Sequence, residues 1–518
     1  MKPPASASDR HEADVRHAAR SGAIQALTVL AQGVIALTQV VFNRLFGDAV
    51  YGAYRTVMAA IEMAARGGAA GADKSMLRYV AAARAAGDEE GVRRALGTGL
   101  RLAIAVSGAF SLLIFLGADP LIHAWVRLRT AMGGTVTGEE ALAPAFRALA
   151  PVPVLWACLW VLIQASLAAR VTRANFWVRG LFEPSALLVA GVGAWLLGTG
   201  LRGLAVAQSL AAVATVALAL VLVKGVFRPA ERHAVFTAPR VRGFVAFSAN
   251  MGLAELMNAT LQQVHILIVS TFVGLEATAV YGAAELITRI VANMRYAFDS
   301  IIAGMMAEAL HLGERDRLQY NLRMVTRWVI TAAVPLAAIV ISLRTELLVG
   351  IFAKPSYAAG ASALLVLTVA HLCNAGLGLT GWVLVAGGRS NLVLLNNFLG
   401  VVFNVSAGLY LTPRYGLVGA TFGVFGSMLI VQGSAIIEVA LWQRIHPFSV
   451  RLCKPLLAGA VAFGAMMLMH RWLPGGWLRV TGVIAGGMAA YGAVLLALGL
   501  PPEEQRMVAR LTGRLHRR

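Results

Sequence analysis

The sequence has few charged residues for its length. Only 14% of its 518 residues are Asp, Glu, Lys or Arg, whereas 58% are hydrophobic, and the mean hydropathy is +0.71. A soluble protein would carry about 25% charged residues. The composition therefore excludes a soluble globular protein and predicts a polytopic membrane protein.

Cysteine is also scarce, with Cys158, Cys373 and Cys453 far apart along the chain. No two of them have the spacing of metal ligands, and an odd number gives no disulfide framework. We expect each to be a buried hydrophobic residue. The sequence predicts no metal site and no cofactor, and it contains no nucleophile and base in a pattern typical of an enzyme.

Acidic residues are outnumbered, with 25 Asp and Glu against 45 Lys and Arg and a formal net charge of +20. Such a charge suggests nucleic-acid binding in a soluble domain. Here most basic residues lie in short segments between apolar spans, so the positive-inside rule of membrane topology explains them better. We therefore predict no nucleic-acid partner and expect both termini in the cytoplasm.

The alternating segments of a β-barrel are missing, and the chain instead contains long apolar runs. A membrane helix needs about 20 apolar residues, and on this basis we predict an all-α protein of about fourteen transmembrane helices. The spans are 22–45, 49–72, 98–118, 146–169, 181–199, 203–224, 244–273, 277–307, 325–352, 360–386, 391–411, 416–441, 455–470 and 477–499.

Two short motifs recur and indicate an internal repeat. VYGA at 50–53 returns at 280–283, and GLRGLA at 200–205 returns as GLVGAT at 416–421. Repeats of this kind place the substrate between the halves of many transporters. The predicted organisation is a cytoplasmic tail at 1–20, a first six-helix lobe at 21–226, a cytoplasmic linker at 227–243, a second six-helix lobe at 244–443, a C-terminal helix pair at 444–499 and a basic tail at 500–518. The basic tail is either an amphipathic helix on the inner leaflet or a frayed end.

The second predicted span carries Arg55, Glu62 and Arg66 within roughly 40° of one another on one helix face. A charge in the middle of a membrane helix costs about 2.5–3.5 kcal/mol. Three on one face indicate a hydrated cavity, mutual pairing, or both.

Polar faces also occur on the first, seventh and eighth spans. Because the repeat makes spans 1 and 7, and spans 2 and 8, equivalent, a shared cavity is the most economical account. A structural alternative is that polar side chains join the helices, and that Glu62/Arg66, Glu285/Arg289 and Arg295/Asp299, each four residues apart, neutralise each other. The three polar faces consist of Gln25, Gln32, Gln39 and Asn43; Glu255, Asn258, Gln262 and His265; and Glu285, Arg289, Arg295 and Asp299.

Arginine presents planar donor pairs that suit phosphate or carboxylate, and amides suit hydroxyl groups. We therefore predict binding of an anionic head group that bears many hydroxyls. The predicted substrate-binding residues are Arg55, Arg66, Arg289, Arg295, Gln25, Gln32, Gln39, Asn258 and Gln262. The residues predicted to pair charges or couple transport to ions are Glu62, Glu255, His265, Glu285 and Asp299.

Three stretches carry a family resemblance: RLFGDAVYGAYRTVMAAIEM at 44–63, STFVGLEATAVYGAAELI at 270–287, and NNFLGVVFNVSAGLYLTPRYGLVGATFG at 396–423. With them the chain resembles the multidrug/oligosaccharidyl-lipid/polysaccharide (MOP) flippase superfamily, and within it the polysaccharide-unit (Wzx-type) flippases of O-antigen and exopolysaccharide synthesis. The resemblance covers about residues 21–444. It implies two lobes around a cavity lined by helices 1, 2, 7 and 8. It also implies an undecaprenyl-diphosphate-linked oligosaccharide moved to the outer leaflet of the bacterial inner membrane by alternating access.

Two positions depart from the family's pattern. His265 stands where an acid is common late in helix 7, and Met305 and Met306 stand where a proline is common late in helix 8. The partners that the resemblance implies are the lipid-linked oligosaccharide, membrane lipids and other polysaccharide-assembly membrane proteins, and we expect a monomer.

Three alternatives remain open at this point. A cation-coupled multidrug exporter of the same superfamily would favour a buried aspartate in the first lobe, where spans 1 and 2 contain only Glu62. A lipid II-type flippase would share the same architecture. A membrane polysaccharide polymerase would need a large external loop with acidic residues, and the longest predicted loop, 119–144, holds Asp119, Glu139 and Glu140 without a convincing partner.

Overall fold

The computed structural model describes residues 33–131, 139–169, 171, 175–233 and 235–499, and the regular secondary structure within these ranges is entirely helical. Eight helical segments in the described ranges are long and apolar enough to cross a membrane. This confirms an all-α polytopic membrane protein. The count of fourteen spans and the division into two lobes stay predictions.

The described helices of the first half are short and long segments in alternation. They are α1 (Gly33–Phe46), α2 (Asp48–Ala69), α3 (Ala72–Ala85), α4 (Glu89–Ala131), α5 (Leu142–Leu149), α6 (Val152–Ala168), a π-helical segment (Phe176–Phe182) continued by α7 (Glu183–Leu196), α8 (Gly200–Lys224) and α9 (Pro229–Arg232).

The second half begins with two long helices, α10 and α11, which contain most of the predicted site residues that the structure describes. Its described helices are α10 (Phe244–Phe272), α11 (Leu275–His311), α12 (Arg315–Ser342), α13 (Arg344–Phe352), a 3-10 segment (Pro355–Gly360), α14 (Ala361–Leu377), α15 (Gly381–Ala386), α16 (Ser390–Gln443), α17 (Cys453–Trp472) and α18 (Trp477–Ala497).

Helix α4 is longer than the sequence predicts. Its 43 residues continue through Pro120 to Ala131, so the described part of the predicted loop 119–144 is helical up to that residue. A proline removes one helical hydrogen bond, but tertiary contacts hold this part of α4. The Trp125 indole donates to the Thr271 hydroxyl over 3.0 Å, and Asp119 pairs with Arg147. Hydropathy could not reveal these contacts.

Helix α16 consists of two helices that meet at a kink. Gly416 has φ 58° and ψ −136°, which is a non-helical conformation that favours glycine. The kink lies at the start of the predicted span 416–441, three residues after Pro413. The sequence therefore predicted this boundary correctly.

Helix α2 lies against α10 and α11 as well as α4 and α6. Near the start of α2 and just beyond its end, the chain approaches the second-half backbone closely because glycine has no side chain. A Cβ atom on Gly52 would lie 1.7 Å from the Leu275 carbonyl oxygen, and one on Gly71 would lie 2.3 Å from the Ser248 carbonyl oxygen. Backbone therefore contacts backbone at these points, and this places the polar face of α2 beside α10 and α11.

Candidate functional site

A large cavity with a volume of about 1230 Å³ is lined mainly by α1, α2 and the helices α10 to α16, with polar residues among apolar ones. Drug-sized ligand pockets have volumes of about 300–1,000 Å³, so this cavity exceeds that range. Most of the predicted site residues line it. They are Gln39, Arg55, Glu62, Glu255, Asn258, Gln262, His265, Glu285, Arg289 and Arg295.

Two arginines from different helices bind one carboxylate in this cavity. The Arg55 guanidinium of α2 donates to Glu285 Oε2 over 3.0 Å, and the Arg289 guanidinium of α11 donates to Glu285 Oε1 over 3.1 Å. Side-chain exposure is 7% for Arg55 and 12% for Glu285. The buried face of α2 beside them is apolar, with Tyr51 and Val57 in the core. The sequence places Arg55 on a cavity wall, and packing then sets it against Glu285.

Glu62 contacts α10 rather than the arginine four residues further along its own helix. Its carboxylate accepts a hydrogen bond from the Gln263 amide. Arg66 instead pairs with Glu255 over 3.8 Å and lies 3.9 Å from the centre of the Trp160 ring. Arg66 is outside the cavity lining, so the structure does not bring this predicted binding residue together with Arg55.

The two pairs predicted within α11 do form. Arg289 contacts Glu285, and Arg295 lies 3.7 Å from Asp299. Asp299 is not part of the cavity lining, and its Oδ1 accepts a hydrogen bond from the Trp382 indole over 2.8 Å. Acidic and basic side chains of α11 therefore pair with each other, and Glu285, Arg289 and Arg295 also line the cavity.

The amides of α10 and the polar residues of α1 divide between the cavity and its surroundings. Gln262 donates to Asn258 Oδ1 over 3.2 Å within the cavity, and the His265 ring packs 5.4 Å from the Tyr281 ring. Asn43 is outside the cavity, where its Oδ1 accepts from the Tyr357 hydroxyl over 2.7 Å. Gln25 and Gln32 lie outside the described residues.

Sequence reasoning missed the part of the cavity formed by α14, α15 and α16. Each helix contributes only one or a few polar residues among apolar ones, so no helical stripe appears. Their presence within membrane spans was the available signal, because polar residues in spans are functional candidates. The missed residues include His371, Asn374, Trp382, Asn396, Asn397 and Gln432.

Metal ligation has no support in the described ranges. Within residues 33–131 and the later described segments, no group of three or more His, Cys, Asp and Glu is placed to hold an ion. The cavity instead offers guanidinium groups, carboxylates and amides, which bind polar or anionic ligands directly.

Several solved transporters and a flippase have a similar fold. The chain is similar to an inward-facing multidrug resistance MATE family transporter of the MOP superfamily, at 17% identity and a TM-score of 0.65, over 82% of this chain and 96% of that one. It is similar to the lipid II flippase MurJ in an inward closed conformation, at 12% identity and a TM-score of 0.72, over 91% and 97%. A third structure is a MOP superfamily transporter from Pyrococcus furiosus, at 17% identity and a TM-score of 0.58, over 86% and 97%.

The comparison with curated proteins gave no match. The sequence model of the family described as polysaccharide biosynthesis protein matches residues 19–298, which is more than half of the chain. Together with the shared fold, this match confirms the resemblance inferred from the sequence. The chain belongs to the family described as polysaccharide biosynthesis protein, and its fold is similar to that of solved MOP superfamily transporters.

Proposed function

We propose that the protein moves an undecaprenyl-diphosphate-linked oligosaccharide from the inner to the outer leaflet of the bacterial inner membrane, for synthesis of a surface polysaccharide. The observation that carries this proposal is the pair Arg55 and Arg289 on the shared carboxylate of Glu285. The family of polysaccharide biosynthesis proteins supports the glycan part of the substrate.

The arginine pair fits a diphosphate for reasons of charge and geometry. Two guanidinium groups share one carboxylate, so the group of Arg55, Arg289 and Glu285 carries one net positive charge. Each guanidinium has five N–H donors, and the buried Arg55 Nε has no hydrogen-bond partner in the described part of the chain. A diphosphate would supply acceptors in the bidentate arrangement that arginine favours. Glu285 would hold both arginines in position when no substrate is bound.

The remaining cavity residues suit the rest of the substrate. The amides Gln39, Asn258 and Gln262 would contact sugar hydroxyls, and the lipid tail would stay in the bilayer. Movement between leaflets needs no covalent chemistry, so the protein would act by alternating access of the cavity to the two sides. We further propose that it acts as a monomer with both termini in the cytoplasm, beside other membrane proteins of polysaccharide assembly.

The experiment that tests this proposal replaces the chromosomal gene with Arg55→Ala or Arg289→Ala. We expect surface polysaccharide to disappear and the lipid-linked oligosaccharide to accumulate on the inner leaflet, while protein level and membrane insertion stay normal. Arg202→Ala is the matched control, because Arg202 is an exposed arginine outside the cavity. Full surface polysaccharide in either cavity variant would overturn the assignment.

A second candidate is a cation-coupled multidrug exporter. The observation that favours it is the contact between Glu62 and Gln263 in the cavity, since a carboxylate on a transport path can bind a proton or a cation. The fold shared with a multidrug resistance transporter is compatible with it. Protection of cells against cationic dyes, without any glycan defect after deletion, would favour this candidate over the flippase. Accumulation of lipid II alone would favour a lipid II-type flippase.

A further inference from the structure

The cavity has a second polar region, on the side of α14, α15 and α16, where the Arg295 guanidinium is paired with the Asp299 carboxylate. Its centre is Asn374, which is 7% exposed. Asn374 Oδ1 accepts hydrogen bonds from Arg295 over 3.2 Å and from Gln432 over 3.0 Å. Arg295 pairs with Asp299, which accepts from the Trp382 indole. These five residues form one connected network, which we call the amide network.

The charge of the amide network differs from that of the arginine pair. Arg295 has its own carboxylate partner in Asp299, whereas Arg55 and Arg289 share Glu285. The positive charge at Arg295 is therefore offset locally. An anionic group would find less attraction here than beside Arg55, because one carboxylate is paired with one guanidinium here and with two guanidinium groups there.

Local packing around the amide network leaves room for its side chains and leaves some polar atoms available for a ligand. A Cβ atom on Gly378 would lie 2.1 Å from Arg295 Nη1, so the absence of a side chain there makes room for the guanidinium. Two buried nitrogens at this side of the cavity, Arg295 Nε and His371 Nδ1, have no hydrogen-bond partner in the described residues. Buried polar atoms are nearly always paired, so these nitrogens indicate that a polar ligand completes the site.

We propose that the amide network binds a neutral sugar of the transported oligosaccharide and thereby sets glycan specificity. This inference rests on the proposed flippase function. Amide groups offer both donors and acceptors for hydroxyls, and the Trp382 ring, which lines the cavity, offers an apolar face for sugar C–H groups. The diphosphate would bind at Arg55 and Arg289, and the sugar at Asn374 and Gln432.

The test measures binding of two lipids to the full-length protein in nanodiscs. One probe is undecaprenyl diphosphate without sugar, and the other is the same lipid bearing N-acetylglucosamine. We expect the wild type to bind the sugar-bearing lipid at least tenfold more tightly than the bare lipid. Gln432→Ala and Asn374→Ala should weaken binding of the sugar-bearing lipid about tenfold, since one or two hydrogen bonds are lost, and leave binding of the bare lipid unchanged.

Controls separate this inference from the proposed function. The Asn391→Ala variant, which changes an exposed amide at the start of α16 and outside the cavity, should bind both lipids as the wild type does. Arg289→Ala should weaken both lipids equally. If Asn374→Ala lowers the melting temperature, only the Gln432→Ala variant, at a partly exposed residue, is used for the test.

Three results would overturn the inference. The first is a wild type that binds the two lipids equally, and the second is an equal loss for both lipids in Gln432→Ala. The third is tighter binding of a lipid bearing glucuronic acid than of the neutral probe. A wild type that binds neither lipid would instead overturn the flippase proposal itself.

Discussion

At the scale of single residues, the proposed function predicts that Glu285 controls how strongly Arg55 and Arg289 bind the substrate. It accepts from Arg55 and Arg289 at 3.0 and 3.1 Å, so an incoming diphosphate must compete with its carboxylate. We expect Glu285→Gln to bind undecaprenyl diphosphate about tenfold more tightly and to transport the lipid-linked oligosaccharide more slowly, because the competing charge is gone. Binding is measured in nanodiscs and transport by surface polysaccharide. Weaker binding would show that Glu285 only orients the arginines.

We predict that Glu62 is the first-half residue that couples transport to protons. It lies in the cavity wall and accepts a hydrogen bond from Gln263 of α10. Glutamine keeps the size of the side chain but cannot exchange a proton at neutral pH. Glu62→Gln should therefore remove the dependence of transport on an imposed pH gradient in proteoliposomes, whereas the exposed Glu276→Gln should keep it. Unchanged dependence in Glu62→Gln would exclude this role.

Helical periodicity predicted the faces of the site residues but not their partners. It placed Arg55, Glu62, Glu285 and Arg289 on cavity walls because each lies on a polar stripe. It could not predict that Arg55 would contact Glu285. A polar stripe shows which face of a helix is polar, but it does not show which helix packs against that face. Arg66 shows the same limit, because the Trp160 ring that holds it outside the cavity comes from α6.

At the scale of helices, the contact between α2 and α11 depends on the missing side chain at Gly52. A Cβ atom there would lie 1.7 Å from a backbone oxygen of Leu275, and backbone cannot move away as a flexible side chain can. We expect Gly52→Ala to destabilise the protein by about 1–3 kcal/mol, as overpacking typically does, and to lower its melting temperature in detergent. Gly108→Ala is the matched control, because nothing lies within 4 Å of the added atom. Equal melting temperatures for the two variants would show that α2 and α11 are loosely packed.

The sequence predicted the end of a helix where one residue breaks the helix. It did not predict the end of a helix that depends on tertiary contacts. Gly416 breaks α16 at the predicted position because its backbone conformation excludes most other residues. The end of α4 was predicted too early. Hydropathy reports which residues can lie in a bilayer, and it says nothing of contacts such as that between Trp125 and Thr271, which hold the helix beyond the apolar span.

At the scale of the whole molecule, contacts join the first-half helices to the second-half segments at both ends of α2. Near its start, the Lys354 ammonium lies 2.5 Å from Asp48, and the nearby Tyr357 hydroxyl donates to Asn43. Beyond its end, the hydroxyls of Ser75 and Ser248 lie 2.6 Å apart. Under the proposed alternating access, one of these two sets would separate in each half of the cycle. The topology predicted from the basic residues places the Ser75 end on the cytoplasmic side.

A reversible cross-link at the Ser75 end tests whether this end must open. The pair Ser75→Cys and Ser248→Cys would be introduced after replacing Cys158, Cys373 and Cys453 by alanine. The short distance between the two hydroxyls suits a disulfide. We expect oxidation to stop transport of the lipid-linked oligosaccharide and reduction to restore it, because in the proposed function the substrate enters the cavity from the cytoplasmic side.

Each single-cysteine variant should transport normally under oxidising conditions, which separates the effect of the cross-link from that of the substitutions. Formation of the disulfide is followed by the altered mobility of the protein after protease cleavage between the two helices. Full transport by the cross-linked protein would mean that substrate enters without separation of α3 and α10. The loading path would then have to run laterally from the bilayer into the cavity, and alternating access through this end would be wrong.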